Sequence, residues 1–536
     1  MANVRKLDYV IVGAGSAGCV LANRLSEDPA VSVLILEAGG PDRHPFIKIP
    51  LMWGKLVQDR TVDWDYDSGP EPHTDNRMIE CARGKVLGGS SSVNAMTCVR
   101  GNRGDYDRWA GTYNLPGWQY DNVLPYFKRA ENWQGGTDEY RGQGGPMNVV
   151  HASFGDPLID AYLQAGIGAG HPANPDYNGA SQYGFSRAQQ NTRNGRRESC
   201  ATAYLHPALK RSNLTAEAHA QANEILFNGN RAVGVTYVKE GKRYEAQAAR
   251  EVILSGGVIN SPHLLMLSGI GPAGHLKEHD INVRIDSPQV GQNLQDHIAA
   301  GVHYRRIGRG PFVEQMRLDR VLLDLPLAYF FGRGRATQFP LGHIAYFKLD
   351  PASEVPDIQL LFGAGPLDAY PWFPGFRKPF PNAFGCRAVL LHPKSRGEVR
   401  LTSNDPEKSP RIVQNFFSES EDMVKLRDAL RRVREILGRP ELEPYRGPEL
   451  GPGEGVNSDD AIDAFVRRTC ITVHHPSGTC RMGGDDESVV DGTLKVRGAE
   501  NLRVVDAAVM PDLISGNINA AVIMIAEKAA DLIRGR

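Results

Sequence analysis

The sequence feature that most constrains the fold is a glycine-rich turn near the N-terminus. A short apolar run at residues 8–12 precedes Gly13, and apolar residues at helical spacing follow at residues 19–25. A second apolar run at residues 31–36 ends at Glu37. This order predicts a buried strand, a tight turn, a helix and a second parallel strand, which is the unit that begins many doubly wound α/β domains.

The three glycines of this turn have separate mechanical roles in binding a dinucleotide. Gly13 permits the tight turn, Gly15 lets the backbone approach a pyrophosphate, and Gly18 lets the helix pack close to the strand. The helix N-terminus presents free N–H groups to the phosphates, and Glu37 can accept hydrogen bonds from ribose hydroxyls. Since a carboxylate at Glu37 disfavours the 2′-phosphate of NADP, the turn leaves FAD and NAD as candidate cofactors.

Composition excludes several classes of function. The 536 residues include 61 Lys plus Arg and 62 Asp plus Glu, a balance that argues against nucleic-acid binding and against a polybasic membrane surface. The seven cysteines form no CxxC pair, which argues against a zinc or other metal site and favours a reducing compartment. The start lacks the features of a signal peptide, and no run of about 18 apolar residues occurs. We therefore expect a soluble, cytoplasmic protein without an integral membrane segment.

Further motifs follow along the chain in an order that resembles one enzyme family. They occupy residues 84–96, 100–107, 255–272, 290–297, 475–483 and 503–511. Their sequences resemble the signatures of the glucose–methanol–choline (GMC) oxidoreductases, in the choline dehydrogenase-like and alcohol dehydrogenase branch. The similarity extends from residue 8 to about residue 530 and is thin only between about 300 and 465. Because this family uses FAD, the resemblance implies FAD rather than NAD.

The resemblance also implies the architecture. Two textures alternate along the chain without a flexible linker, which indicates two interleaved domains. We expect an α/β protein (α+β overall), in which a Rossmann-like FAD-binding domain is interleaved with a substrate-binding domain built on an antiparallel sheet with helices. The predicted segments are 1–155, 196–302 and 465–536 for the FAD-binding domain, and 156–195 and 303–464 for the substrate-binding domain.

Position by position, the resemblance implies a set of FAD-binding residues. They are Gly13, Gly15, Ser16, Ala17, Gly18, Glu37, Ala38, Val86, Gly88, Gly89, Ser90, Asn94, Ala95, Ala222, Ser255, Gly256, Asp506, Ala507 and Asn517. Some choline-oxidising members attach FAD covalently through a histidine just before the residue that matches Asn94. Because Val93 stands there in this chain, we expect non-covalent FAD.

Oxidation of an alcohol to a carbonyl removes a hydroxyl proton and a hydride, so the protein must supply a base and a group that holds the substrate oxygen. His475 matches the family's catalytic histidine and is the predicted base. Asn519 is assigned to the family's second His or Asn and is predicted to position the substrate oxygen while the hydride passes to flavin N5. His474, Phe339 and Tyr346 are predicted to line the substrate pocket, and His297 is expected to be a structural hydrogen-bonding residue.

The predicted substrate is a primary alcohol, with oxygen or another electron acceptor as the second partner. Choline-oxidising relatives carry a glutamate two residues after an Asp-His pair, and here that position is Ala299, so choline is expected to be a poor substrate. The ring-rich segment 339–384 favours a neutral aromatic or aliphatic alcohol. The alternative is a non-oxidative member of the same fold, of the hydroxynitrile lyase or photodecarboxylase type. Oxidase and dehydrogenase activity both remain open, as does the oligomeric state.

Overall fold

Two seven-stranded sheets form the framework of the structure, a computed structural model that describes residues 4–535. The first three residues, which belong to the stretch predicted to lack a signal peptide, lie outside the described residues. Each sheet has its own apolar core, and the chain passes between the sheets several times. This arrangement of mixed α/β elements confirms the predicted fold class.

The first sheet is mostly parallel and contains the predicted strand–turn–helix–strand unit. Val4–Val12 is central, with Val33–Leu36 parallel on one side and Lys242–Leu254 parallel on the other. All four residues of Val33–Leu36 are buried, as expected for a parallel strand covered on both faces. The strands of this sheet are Val4–Val12, Val33–Leu36, Leu214–Glu217, Ala220–Asn228, Arg231–Lys239, Lys242–Leu254 and Leu502–Val504.

The second sheet is antiparallel. Ala383–Leu390 pairs with Ile298–Arg306 on one side and with Ile358–Gly363 on the other. Its strands are Gly184–Arg187, Ile298–Arg306, Leu341–Phe347, Ile358–Gly363, Ala383–Leu390, Arg446–Gly451 and Ile471–Thr472. The predicted domain boundary between residues 302 and 303 falls inside one of these strands, so a boundary before residue 298 fits the sheet better. The motif that ends at His297 runs directly into this strand without a turn residue, which is why the sequence did not reveal its start.

Shorter strands and the helices cover the two sheets. The shorter strands are Glu131–Trp133, Met147–His151, Gln189–Gln190, Thr192–Arg193, Arg196–Arg197, Ile270–Gly271, Ile285–Asp286, Glu398–Arg400 and Arg411–Val413. The α-helices are Ser16–Leu25, Pro45–Lys48, Trp53–Gln58, Arg103–Thr112, Tyr120–Ala130, Pro157–Gly168, His206–Ala208, Gly257–Leu267, Ala273–Glu278, Pro311–Gln315, Leu318–Pro326, Ser420–Leu437, Asp459–Thr469 and Asn519–Arg534. Among residues 4–535, none of the helices combines the length and the apolar character that crossing a membrane requires.

A buried carboxylate of the C-terminal helix, Glu527, holds this helix to three neighbouring segments of the chain. Arg24 donates two hydrogen bonds to it at 2.8 and 2.9 Å, and Arg129 donates a third at 2.8 Å. The Tyr204 hydroxyl donates a fourth at 2.9 Å. Since Glu527 is fully buried, these donors replace the water that its charge would otherwise require.

Replacing Glu527 with Ala should lower the free energy of unfolding by about 3–5 kcal/mol, because it leaves two arginines without their buried partner. Denaturant titration of the purified protein measures the effect. Asp59→Ala is the matched control, since Asp59 pairs with Lys55 on an exposed helix and should cost at most about 1 kcal/mol. Equal losses in the two variants would contradict the role assigned to Glu527.

Candidate functional site

A large cavity of about 1450 Å³ is lined by residues of both sheets. It meets the first sheet at Val12, Leu36 and Leu254, which are the carboxyl ends of three parallel strands. It meets the second sheet at His303 and Arg387. The volume exceeds the roughly 300–1,000 Å³ of a common small-molecule site, so the cavity can take a large cofactor together with a substrate.

At the first sheet the cavity wall consists of backbone segments that approach one another too closely to leave room for side chains. Gly13 has a φ of 98°, and a Cβ added there would lie 2.9 Å from the backbone nitrogen of Gly256. A Cβ on Gly89 would lie 2.7 Å from Cα of Gly15. Gly18 does not line the cavity, but a Cβ there would overlap the carbonyl of Gly13, which agrees with its predicted role in helix packing. These glycines leave the bare backbone surface that a pyrophosphate needs.

Two buried carboxylates sit along this wall. Glu37 accepts hydrogen bonds from the backbone N–H groups of Ala14 and Gly39 at 2.9 and 2.8 Å. Burial nevertheless raises the pKa of Glu37 to about 7. Asp506 accepts from the backbone of Gly257 and Ala508, and burial raises its pKa as well. Glu37 is therefore held rigidly at the end of its strand, where a ribose hydroxyl can reach it.

Two helix N-termini meet at the same wall. Ser16 begins the first helix and Asn519 begins the C-terminal helix, and the Ser16 hydroxyl donates a 2.6 Å hydrogen bond to Asn519 Oδ1. The free N–H groups and the positive dipole ends of both helices thus point toward one place, where they suit an anion such as a phosphate. The contact of Asn519 at this wall is the one with Ser16.

Most of the predicted FAD-binding residues line the cavity. They are Gly13, Gly15, Ser16, Ala17, Glu37, Ala38, Gly89, Ser90, Asn94, Ala95, Ala222, Ser255, Gly256, Asp506, Ala507 and Asn517. Gly18, Val86 and Gly88 lie behind the lining and support it. Val86, for example, accepts a hydrogen bond from the backbone of Gly89. The residues present therefore fit a dinucleotide such as FAD.

The predicted base, His475, also lines the cavity, and it closely follows the strand Ile471–Thr472 of the second sheet. Its backbone N–H donates to Asp296 Oδ1 at 2.8 Å, and the Thr472 hydroxyl donates to the other oxygen of the same carboxylate. His474, just before it, has a φ of 63° and also lines the cavity. Asp296 therefore fixes the backbone at His475, and burial raises the pKa of Asp296 to about 6.

The ring of His475 is oriented by His297, whose Nδ1 lies 2.9 Å from Nδ1 of His475. On its other side, His297 Nε2 lies 3.0 and 3.1 Å from the carbonyl oxygens of Leu391 and Ile514. Because carbonyl oxygens only accept, His297 Nε2 carries a proton. Burial lowers the pKa of His297 to about 3, so the ring is neutral and its Nδ1 accepts. His475 Nδ1 must then donate, which leaves a lone pair on His475 Nε2.

Asn517 faces that lone pair. Its Nδ2 donates to His475 Nε2 at 2.9 Å, and its Oδ1 accepts from Gln359 Nε2 at 3.3 Å. Gln359 Nε2 also donates to the Tyr346 hydroxyl at 2.9 Å. Gln359 thereby fixes the amide of Asn517 with its N–H group toward His475.

These contacts bear on two of the predicted roles. Asn517, assigned to FAD, lies against His475, whereas Asn519, assigned to the substrate oxygen, is bonded to Ser16. The two asparagines are separated by one residue at a helix start, so their side chains point in different directions. Tyr346 does not line the cavity but lies fully buried behind it, while Phe339 lines it and packs against Trp53 with ring centroids 5.7 Å apart.

Burial and nearby cations keep the histidines at this site neutral. The pKa of His475 is held well below its ordinary value by burial and by His297, His474 and Arg83. Burial, Arg83 and Arg387 lower the pKa of His474 to about 3. A neutral His475 with a lone pair on Nε2 is ready to accept a proton from a hydroxyl group in the cavity.

The sequence and structure were compared with known proteins. The GMC oxidoreductase family matches residues 7–299 with its N-terminal part and residues 393–526 with its C-terminal part. The chain belongs to this family. As a GMC oxidoreductase it is a flavin-dependent enzyme that acts on CH–OH donors, which confirms the predicted enzyme class.

Individual GMC relatives match along the whole chain. Oxygen-dependent choline dehydrogenase 1 of Chromohalobacter salexigens is 43% identical over 100% of this chain and 96% of its own length. Pyridoxine 4-oxidase from Mesorbium loti is 34% identical with a TM-score of 0.89, covering 99% of each chain. A formate oxidase of Aspergillus oryzae, studied for its FAD modification, is 28% identical with a TM-score of 0.90 over 100% of this chain and 99% of its own.

Several site residues of this GMC enzyme escaped the sequence analysis. Gln359 and Arg387 lie in the segment where the motifs are thin, on strands of the second sheet. His297 was placed correctly as a hydrogen-bonding residue, but its partner was not identified. The Asp-His pair at residues 296–297 was the sequence signal that could have revealed this partner. Asp296 holds the backbone of His475, and His297 holds its ring.

Replacing Gly13 with Ala should weaken FAD binding by about tenfold or more, because a positive φ costs a residue with a Cβ about 1–2 kcal/mol and the Cβ meets Gly256. The ratio of flavin to protein absorbance after gel filtration at low concentration measures it. Gly111→Ala is the control, since no atom lies within 4 Å of its added Cβ and it should keep the wild-type flavin content. Full FAD occupancy in Gly13→Ala would contradict the close approach of backbone and pyrophosphate.

Proposed function

We propose that this protein oxidises a primary alcohol to the aldehyde with bound FAD, using His475 as the base and Asn517 to hold the substrate oxygen. The observation that carries the proposal is the 2.9 Å contact between His475 Nε2 and Asn517 Nδ2 at the cavity. These two atoms present an acceptor and a donor side by side, as a hydroxyl group requires. FAD, when bound, would accept the hydride from the C–H bond.

The protein's own part in the reaction is to take one proton and to stabilise one oxygen. A substrate hydroxyl would displace the direct contact between the two side chains, and it would then donate to His475 Nε2 and accept from Asn517 Nδ2. As the proton moves to Nε2, His475 gains a positive charge while its Nδ1–H continues to donate to His297. Asn517 Nδ2–H then bonds to the developing alkoxide, since Gln359 prevents the amide from turning.

The proposed substrate is a primary alcohol other than choline, although the curated relative described above is named a choline dehydrogenase. Ala299 stands where choline-oxidising relatives carry a glutamate. It is fully buried in its strand and supplies no carboxylate. Three of the rings in segment 339–384 line the cavity, namely Phe339, Phe362 and Phe384. Beside these rings a trimethylammonium group would lose its hydration without a carboxylate partner, at a cost of several kcal/mol.

A cytoplasmic location is part of the same proposal. All seven cysteines carry free, buried thiols, which suits a reducing compartment.

Replacing His475 with Ala should slow flavin reduction by the alcohol about 10²–10⁴-fold while FAD stays bound, since the base alone is removed. Anaerobic stopped-flow absorbance measures the reduction rate. His73→Ala, at an exposed histidine, is the control and should reduce at the wild-type rate. A near-normal rate in His475→Ala would rule out His475 as the base.

Replacing Asn517 or Asn519 with Ala should have different effects on the rate of flavin reduction and on the FAD content. Asn517→Ala should slow flavin reduction about 10-fold or more at full FAD content, because a hydrogen bond to the developing charge is lost. Asn519→Ala should lower FAD content while the loaded fraction reduces at nearly the wild-type rate, because Asn519 bonds to Ser16 at the helix start. The opposite pattern would restore Asn519 as the residue that positions the substrate.

Acid precipitation of the holoenzyme should release its flavin into the supernatant. Val93 lines the cavity at the position of the family's linking histidine and offers no nucleophile. Absorbance of the supernatant and mass spectrometry of the pellet measure the two fractions. Flavin that remains with the protein would show a covalent bond through another residue.

A further inference from the structure

Arg387 lies on the central strand of the second sheet and faces the cavity. Its strand, Ala383–Leu390, places it opposite Gly301 on one neighbour and Leu361 on the other. Side chains alternate between the two faces of a strand, and the adjacent Cys386 and Ala388 belong to the apolar core on the far side. The guanidinium therefore lines the cavity at the second sheet, whereas the wall that suits FAD is built on the first sheet.

Within residues 4–535, the Arg387 guanidinium donates no hydrogen bond and no carboxylate pairs with it. Other deeply placed arginines of this protein are partnered. Arg306, on the neighbouring strand, donates to both oxygens of Asp156 at 2.5 and 2.7 Å. Arg83, which also lines the cavity, donates to the carbonyls of Ala82 and His474.

The surroundings of Arg387 are cationic or neutral. Burial lowers its pKa, and Arg387 in turn lowers the pKa of His303 and His474. Glu80 also lines the cavity, but the charges that act on it are Arg60, Asp63, Asp67 and Arg83. Arg387 is half-buried at the cavity, and a cation held there without a carboxylate is costly, so an arginine that stays unpaired points to a ligand that supplies the negative charge.

Backbone glycines make room for this arrangement. A Cβ on Gly301 would lie 3.2 Å from Cγ of Arg387 and 2.9 Å from Cε1 of His303. A Cβ on Gly385 would lie 3.1 Å from Cγ of His303. The two glycines flank His303 on paired strands, so the imidazole and the arginine stem lie flat on the sheet and leave space above them.

We propose that Arg387 forms an anion subsite and that the substrate is a primary alcohol that also carries a carboxylate. The planar guanidinium offers two parallel N–H donors that match a carboxylate. Leu361, Phe362 and Phe339 line the same cavity and suit an apolar body that links the carboxylate to the alcohol. This inference rests on the proposed alcohol oxidation, and it replaces the expected neutral substrate with an anionic one.

The test compares 4-(hydroxymethyl)benzoate with its uncharged analogue 4-methylbenzyl alcohol and with choline. In wild-type holoenzyme the acid should have the highest kcat/KM, and Arg387→Met should lower it by about 30-fold or more, mainly through KM. The neutral alcohol should change by less than about threefold. Arg305→Met, at an exposed arginine on the adjacent strand, is the matched control and should leave the kcat/KM of all three unchanged. Equal effects of Arg387→Met on the acid and the neutral alcohol, or choline as the preferred substrate, would overturn the proposal.

A binding measurement separates the subsite from the oxidation. Benzoate, which carries the anion but no alcohol, should bind the oxidised holoenzyme in calorimetry and should bind Arg387→Met at least about 30-fold more weakly. If benzoate binds in this way but no alcohol reduces the flavin, the subsite stands and the alcohol oxidation fails. If alcohols are oxidised but Arg387→Met leaves benzoate binding unchanged, the subsite fails and the oxidation stands. Arg387→Lys serves where Arg387→Met does not fold: it keeps the charge, loses the paired donors and should still weaken benzoate binding.

Discussion

The 2.9 Å contact between the Nδ1 atoms of His297 and His475 determines what the rest of the site can do. Two carbonyl oxygens set the proton on His297, and that proton sets the one on His475. The carbonyls belong to Leu391, just after a strand of the antiparallel sheet, and to Ile514, in the loop before the C-terminal helix. The lone pair on His475 Nε2 therefore depends on the tertiary structure, since these two segments, which are far apart in the chain, must both meet His297.

The two sheets contribute different things to the one cavity. The parallel sheet supplies backbone, helix N-termini and glycines, which together accommodate a cofactor with few side-chain contacts. The antiparallel sheet supplies side chains: Gln359 orients the amide of Asn517, and His303 and Arg387 line the cavity. His303, Gln359 and Arg387 lie on three strands of this one sheet. Substitutions on the antiparallel sheet can thus change substrate choice while the cofactor-binding wall of the parallel sheet stays the same.

Local sequence patterns predicted the cofactor half of the structure well. The glycine turn, the strands around it and Glu37 depend on neighbours within about thirty residues, and the structure places them as expected. The substrate half depends on pairs of residues far apart in the chain. Gln359 contacts Asn517 across 158 positions, and nothing in either local sequence marks the contact. Asn517 and Asn519 lie two positions apart at the start of the helix, so only the direction of each side chain could show which asparagine faces His475.

The protonation state of His475 decides whether this residue can act as the base, and nitrogen-15 NMR of the holoenzyme labelled at histidine tests it most directly. The His475→Ala variant assigns the resonances by their loss. At pH 7 the hydrogen bonds of His297 and His475 predict a neutral His475 ring, with the proton on Nδ1 and an unprotonated Nε2. A proton on Nε2, whether in the other neutral tautomer or in a doubly protonated ring, would contradict it.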